Sequence, residues 1–341
     1  MIATEQRLPA SKRAHGTRRA RYFLSALTLA AGLCAGPPVM ALEATVDFLG
    51  PRMPYAEFDQ LPATRLAIAG AELIVAFAPG PLDLPRAQVL DWVRLAAHGV
   101  VTYYGRFPAA SARILVVPGG GRGISAGRAW AHRGAALRVA IGERSTAADL
   151  ARDWVLVHEM THLAFPRVPQ SHHWIEEGLA SYVESIARAQ AGQLSAEAVW
   201  ADLANGLPKG QPQSGDRGLD NTPTWGRTYW GGALYCLLAD LEIRRRSANR
   251  FGLQHALRAI LMAGNMETSA SLAALLEIGD RAVGVPALAE LYATMRDQPA
   301  PVDLDTLWRR LGVVPEGRGV RLDDSAPEAA IRRAITAPFR G

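Results

Sequence analysis

Cysteine is almost missing from this chain of 341 residues: there are two, Cys34 and Cys236, and the first lies in an N-terminal leader. A single remaining thiol allows no internal disulfide, so the fold must rest on an ordinary apolar core, which roughly 300 residues can supply. Long apolar runs are missing as well. The run over residues 22–36 is too short to span a bilayer comfortably. It follows Arg18, Arg19 and Arg21 and precedes the small-residue site Val39-Met40-Ala41, so residues 1–41 are expected to be a signal peptide cleaved after Ala41. An uncleaved membrane anchor is the alternative. Leu33 stands where a lipoprotein signal needs a small residue before Cys34, and Arg21 spoils a twin-arginine pattern, so general secretion to a secreted or periplasmic location is expected.

Net charge is the third absence. The whole chain carries +5, with 37 Lys and Arg against 32 Asp and Glu, but the leader holds six of the former and one of the latter. What remains has 31 of each sign, which removes the electrostatic support for a nucleic-acid partner. No internal repeat is evident. The glycine-rich run at residues 118–127 contains Gly-x-Gly-x-x-Ala, but a dinucleotide site needs a helix to open there and a strand pattern follows instead. A mobile loop at a cleft rim is the expectation.

What is present is His158-Glu159-Met160-Thr161-His162 inside a helical run. Histidines four apart share a helix face, roughly 6 Å apart along the axis, so both imidazoles can reach one metal ion. Thr146 with Asp149 fits a capping box that starts the helix, and Pro166 stops it. Leu150, Trp154, Val157 and Thr161 form a stripe expected to face the core; Ala151, Val155, His158 and His162 form the next, expected to floor a cleft. Zinc held by imidazoles and one carboxylate, with a position open, lowers the pKa of bound water to about 7. Glu159 would point near that water and act as general base.

A second helical run, Trp174-Ile175-Glu176-Glu177-Gly178-Leu179-Ala180-Ser181-Tyr182-Val183-Glu184, follows a turn containing Pro166, Pro169 and Ser171. It resembles the Trp-x-x-Glu-Gly-x-x-x-Tyr-x-Glu helix of the gluzincins, the thermolysin-like zinc metallopeptidases that include the aminopeptidase-N and glycyl aminopeptidase families. The resemblance implies that Glu177 is the third zinc ligand and that Glu184 matches the later acidic residue; Glu176 is the rival ligand. Independently, Glu177, Ser181, Glu184 and Arg188 share one helix face. A third block, Thr228-Tyr229-Trp230-Gly231-Gly232-Ala233-Leu234, resembles the Tyr-x-Lys-Gly-Ala-Leu element of these families, with Gly231 in place of Lys. Tyr229 is then implied to stabilise the oxyanion. The competing reading packs it with Trp225 and Trp230.

Elsewhere, residues 66–69 and 73–77 suggest two strands turning at Gly70, residues 86–104 a helix with Val89, Val93, Ala96 and Val100 on one face, and residues 114–117 and 136–141 further strands. The resemblance implies that the last of these is the sheet edge pairing with extended substrate. Residues 206–224 have almost no large apolar side chains and suggest a surface insertion or a lid. Helices are expected over residues 229–246, 251–262, 272–277, 285–295 and 304–311. Gly264-Asn265-Met266-Glu267-Thr268 resembles the Gly-x-Met-Glu-Asn substrate motif of the aminopeptidase-N family but is misplaced, since that motif belongs on the edge strand.

The expected architecture is α+β, a thermolysin-like zincin fold: a small strand-rich N-lobe (about 42–165) over the zinc helix, a helical C-lobe (about 166–311), and an exposed tail (312–341) with a short helix at 327–335. The expected function is zinc-dependent peptide hydrolysis, with His158, His162 and Glu177 on one zinc ion, Glu159 and Tyr229 catalytic, and a peptide or protein as the partner. A zinc hydrolase of non-peptide bonds and a non-catalytic zinc-binding recognition module are the alternatives. A membrane partner would require an uncleaved leader.

Overall fold

The computed structural model describes residues 47–338, and the expected leader lies outside them. After a short helix α1 (Tyr55–Phe58), strands β1 (Ala63–Ile68) and β2 (Ala71–Phe77) form an antiparallel hairpin. Both turn residues have positive φ, Ala69 at 48° and Gly70 at 82°, the pairing that matches the right-handed twist of the flanking strands. Helix α2 (Arg86–Tyr104) buries the expected face of Val89, Val93, Ala96 and Val100 and ends at Gly105, whose φ of 80° is the usual left-handed helix stop. It connects β2 to the parallel strand β3 (Ser111–Gly119). Strands β4 (Ile124–Trp130) and β5 (Ala135–Gly142) complete a mixed sheet in the order β1-β2-β3-β5-β4.

The expected edge strand is therefore interior. All eight residues of β5 are buried, because it lies between β3 and β4 with apolar packing on both faces. The edge belongs to β4, inside and just after the glycine-rich run where a mobile loop was expected. Its sequence Ile-Ser-Ala-Gly-Arg-Ala-Trp shows no clean alternation since neither of its faces is fully buried, and a register shift between Ile124 and Ala126 interrupts it further.

The helix that carries His158 and His162 is also shorter than expected. Thr146 and Asp149 do form a capping box, but for the five-residue helix α3 (Ala147–Ala151). The chain then breaks, and Asp153 accepts hydrogen bonds from the backbone N–H of Val155 (2.9 Å) and Leu156 (3.1 Å), starting α4 (Val155–His162) afresh. The break turns Trp154 out of the core stripe, leaving it 51% exposed, while Leu150, Val157 and Thr161 stay buried.

Helix α5 (His173–Gln190) runs through the centre of the helical region, flanked by α2, α4, α6 (Ala196–Gly206) and α7 (Gly232–Arg246). Helices α8 (Leu253–Ala263), α9 (Leu272–Val283), α10 (Ala287–Met295) and α11 (Leu304–Leu311) complete it. No helix among the described residues is long and apolar enough to cross a membrane. Two expectations are corrected here. Residues 206–224 are neither a loose insertion nor a lid: Leu207, Gly210 and Leu219 are buried, and Asp216 forms a buried ion pair with Arg227 at 2.7 Å. Polar composition misled because the segment is held by this charge pair and by Arg227 Nη1 donating to the Gly210 carbonyl at 2.5 Å. Residues 312–338 are not an exposed tail. They form the hairpin β6 (Val313–Glu316) and β7 (Gly319–Leu322) and helix α12 (Ala329–Thr336), in which Arg332 is 1% exposed and donates to the carbonyls of Leu311, Gly312 and Asp323.

Helices α5 and α7 cross backbone to backbone. A Cβ on Gly178 would lie 2.3 Å from the Gly232 carbonyl carbon, and one on Gly232 would lie 2.2 Å from the Trp174 oxygen. Only glycine permits this approach, and it brings the turn before α7 beside Glu177. Gly178→Ala is expected to lower stability by about 3 kcal/mol in equilibrium urea unfolding, because backbone cannot yield as a side chain can; an unchanged midpoint would show that the crossing has slack.

Candidate metal centre

Helix α4 lies between β4 and α5 and presents His158 and His162 one turn apart. From α5, Glu177 turns its Oε2 toward them, 3.3 Å from His158 Nε2 and 3.6 Å from His162 Nε2. One donor atom from each of the three residues lies within 4.8 Å of the others. Nitrogen and oxygen donors about 2.0–2.1 Å from a tetrahedral zinc ion stand roughly 3.3 Å apart, so the two distances to Glu177 fit such an ion. The donor set of two imidazoles and one carboxylate also suits it chemically.

Electrostatics point the same way. Burial pushes the His158 pKa down, favouring the neutral imidazole that can ligate a metal. His162 is pulled down by burial but raised on balance by its contact with Glu177. Burial would raise the Glu177 carboxyl, yet hydrogen bonds from His158, His162 and His173 outweigh it and hold the group far below the usual carboxylate range. Glu159 has no such company. Burial pushes its pKa up to about 7, with a smaller opposing pull from His162. A carboxyl near neutrality, beside a convergent donor set, has the properties of a proton acceptor that works near pH 7.

These groups floor a cleft of about 630 Å³, walled by residues of β4 and by His173, Glu176, Tyr229 and Met266. Gly127 in β4 makes the approach of α4 possible. A Cβ there would lie 2.6 Å from Glu159 Cγ and 2.5 Å from Val155 Cγ1. Tyr229 sits on a π-helical turn, Gly226–Gly231, directly before α7. Its ring is stacked near the His158 ring, with centroids 6.3 Å apart at 18°. Burial raises its hydroxyl pKa to about 12, helped by the charges of Glu177 and Glu159, so the phenol keeps its proton and can donate it. It also stacks on Trp225, 5.9 Å away, whereas Trp230 packs against the core. The aromatic contact and the place at the cleft therefore coexist.

The five residues singled out from sequence, His158, Glu159, His162, Glu177 and Tyr229, thus line one cleft. The neighbouring Glu176 turns elsewhere, its Oε2 meeting His173 Nδ1 at 3.1 Å and its Oε1 accepting from the Val168 N–H at 3.4 Å. Glu184 lies behind the site, buried against Arg188 at 3.6 Å, with its pKa raised by burial to about 8. Met266, from the misplaced motif, reaches the cleft from the loop after α8. Sequence reasoning missed His173, whose Nε2 lies 3.3 Å from Glu177 Oε1 and whose pKa is pushed up to about 10 by Glu176 and then Glu177. Its spacing of three and four residues before two glutamates was the available signal.

No family model matches the sequence, and no curated protein matches it. Among solved structures, the M1 zinc metallopeptidase of Deinococcus radiodurans aligns at 17% identity and a TM-score of 0.47, over 71% of this chain and 51% of its own. A variant of that enzyme with a Tyr-Ser-Ala substrate bound aligns at 16% identity and a TM-score of 0.48, over 71% and 53%. An aminopeptidase N family protein from Idiomarina loihiensis aligns at 14% identity and a TM-score of 0.55, over 75% of this chain and 51% of its own. The chain spans about half the length of these structures. Its five-stranded mixed sheet followed by helices is the α+β fold shared with the aminopeptidase N family protein.

Proposed function

We propose that the protein is a zinc-dependent metallopeptidase, with His158, His162 and Glu177 holding one ion. The observation that carries this reading is the convergence of those three donors beside the buried carboxylate of Glu159, on the floor of a cleft walled by a strand edge. A structural zinc site usually closes its coordination sphere with protein ligands and has no use for a nearby base. Bound zinc would supply Lewis-acid activation of water near neutral pH. Glu159 then accepts the proton that the attacking water loses and returns it to the leaving amine. The hydroxyl of Tyr229 donates a hydrogen bond to the oxyanion as charge develops. The outer edge of β4 pairs with no strand among the described residues and offers its backbone to an extended peptide, which favours a peptide over other amides. With its leader removed, the enzyme would act outside the cytoplasm, in the periplasm or beyond the cell.

Glu159→Gln keeps the size of the side chain and removes the base. Zinc-loaded wild type should cleave members of a peptide library read by mass spectrometry, and the variant should lose about 10²–10⁴-fold in rate while elemental analysis finds its zinc intact. Undiminished cleavage by the variant would remove Glu159 from the chemistry, and a zinc-loaded wild type that cleaves no peptide would remove the peptidase reading.

Tyr229→Phe separates the two roles open to that ring. A donor acting only in the transition state should cost about a hundredfold in kcat, roughly 3 kcal/mol, with little change in KM. A ring that merely packs on Trp225 would show lower stability and an unchanged rate per folded molecule.

A further inference from the structure

His173 is the first residue of α5, three before Glu176 and four before Glu177, so its imidazole shares their helix face. Both ring nitrogens are engaged: Nδ1 with Glu176 Oε2 at 3.1 Å and Nε2 with Glu177 Oε1 at 3.3 Å. The side chain is nonetheless 41% exposed and lines the cleft. This divides the two oxygens of Glu177. Oε1 faces His173, and Oε2 faces His158 and His162. Glu176 is in turn tied through Oε1 to the Val168 N–H, in the segment that leads from α4 to α5. A continuous series of contacts thus runs from that segment through Glu176 and His173 to the carboxylate beside both histidines.

We propose that His173 is a positioning residue for the metal, gripping Glu177 through Oε1 so that Oε2 is presented as a single-oxygen ligand, and that Glu176 serves to hold His173. The inference rests on the zinc reading above. Its physical basis is the freedom of a glutamate side chain, which has three rotatable bonds and a carboxylate able to turn either oxygen, or both, toward an ion. A donor fixed on one oxygen removes those alternatives before the ion arrives. Partners of this kind, one bond removed from the metal, are typically worth 10–100-fold in metal affinity. The pair also explains why two adjacent glutamates have different tasks: at about 100° apart on the helix, only one can face the histidines, and the other is placed to brace the brace.

The test is zinc affinity, measured by competition with a chromophoric chelator on the full chain, alongside the thermal midpoint of the metal-free protein. His173→Phe retains a ring and removes both nitrogens. The expected result is a 10–100-fold weaker zinc Kd with the metal-free midpoint unchanged. Glu176→Gln should weaken zinc in the same direction by a smaller factor. Should the phenylalanine variant fail to fold, His173→Ala carries the same expectation at this partly exposed position. Zinc affinity equal to wild type overturns the proposal, whether turnover is retained, leaving His173 without a role at the site, or lost, giving it a direct one. A wild type that binds no zinc removes the metal reading and this inference with it, whereas wild-type binding matched by the variants removes this inference alone.

Discussion

Much of the site depends on a contact between two backbones. At Gly178 and Gly232 helices α5 and α7 touch with no side chain between them. Glu177 precedes the first glycine by one residue and Tyr229 precedes the second by three, so the crossing sets carboxylate and phenol beside one another. A single methyl at either glycine would force the helices apart. Gly127 plays the matching part on the other wall, where the lack of a Cβ lets α4 bring Glu159 up against β4. The arrangement of side chains in the cleft is thus held by three positions that contribute no polar side chain to it.

The interior so formed is costly for charge. Removing a carboxylate from water costs several kcal/mol after relaxation, and this site buries two, Glu159 and Glu177. They are compensated differently. Glu177 is surrounded by imidazoles and stays ionised; Glu159 lacks that company and is driven toward neutrality. Two residues of one type thus differ in charge because of what stands beside them.

The part of this arrangement that was legible in the sequence is the part fixed by local geometry. His158 and His162 share a face by helical spacing alone, and the bounds of α2 and α11 follow from apolar periodicity. Glu177 and Tyr229 needed the resemblance of two short blocks, since spacing cannot say which of two adjacent acids faces a distant helix. Tertiary packing hid the rest. Asp153 outcompetes the continuation of α3 and so exposes Trp154; β4 is edge material whose small and polar residues carry no alternating signal; and Arg332 is buried because backbone carbonyls surround it, an environment that composition does not disclose. His173 had a readable spacing but no reason to be preferred over any surface histidine until Glu177 was placed.

The central claim is that His158, His162 and Glu177 form one metal site at the floor of the cleft. Anomalous diffraction above and below the zinc absorption edge, on crystals of the zinc-loaded protein, tests it most directly. The expected result is one strong peak per chain, about 2.0–2.2 Å from His158 Nε2, His162 Nε2 and Glu177 Oε2. A peak elsewhere, or one whose carboxylate ligand is Glu176 with Glu177 turned away, would contradict it.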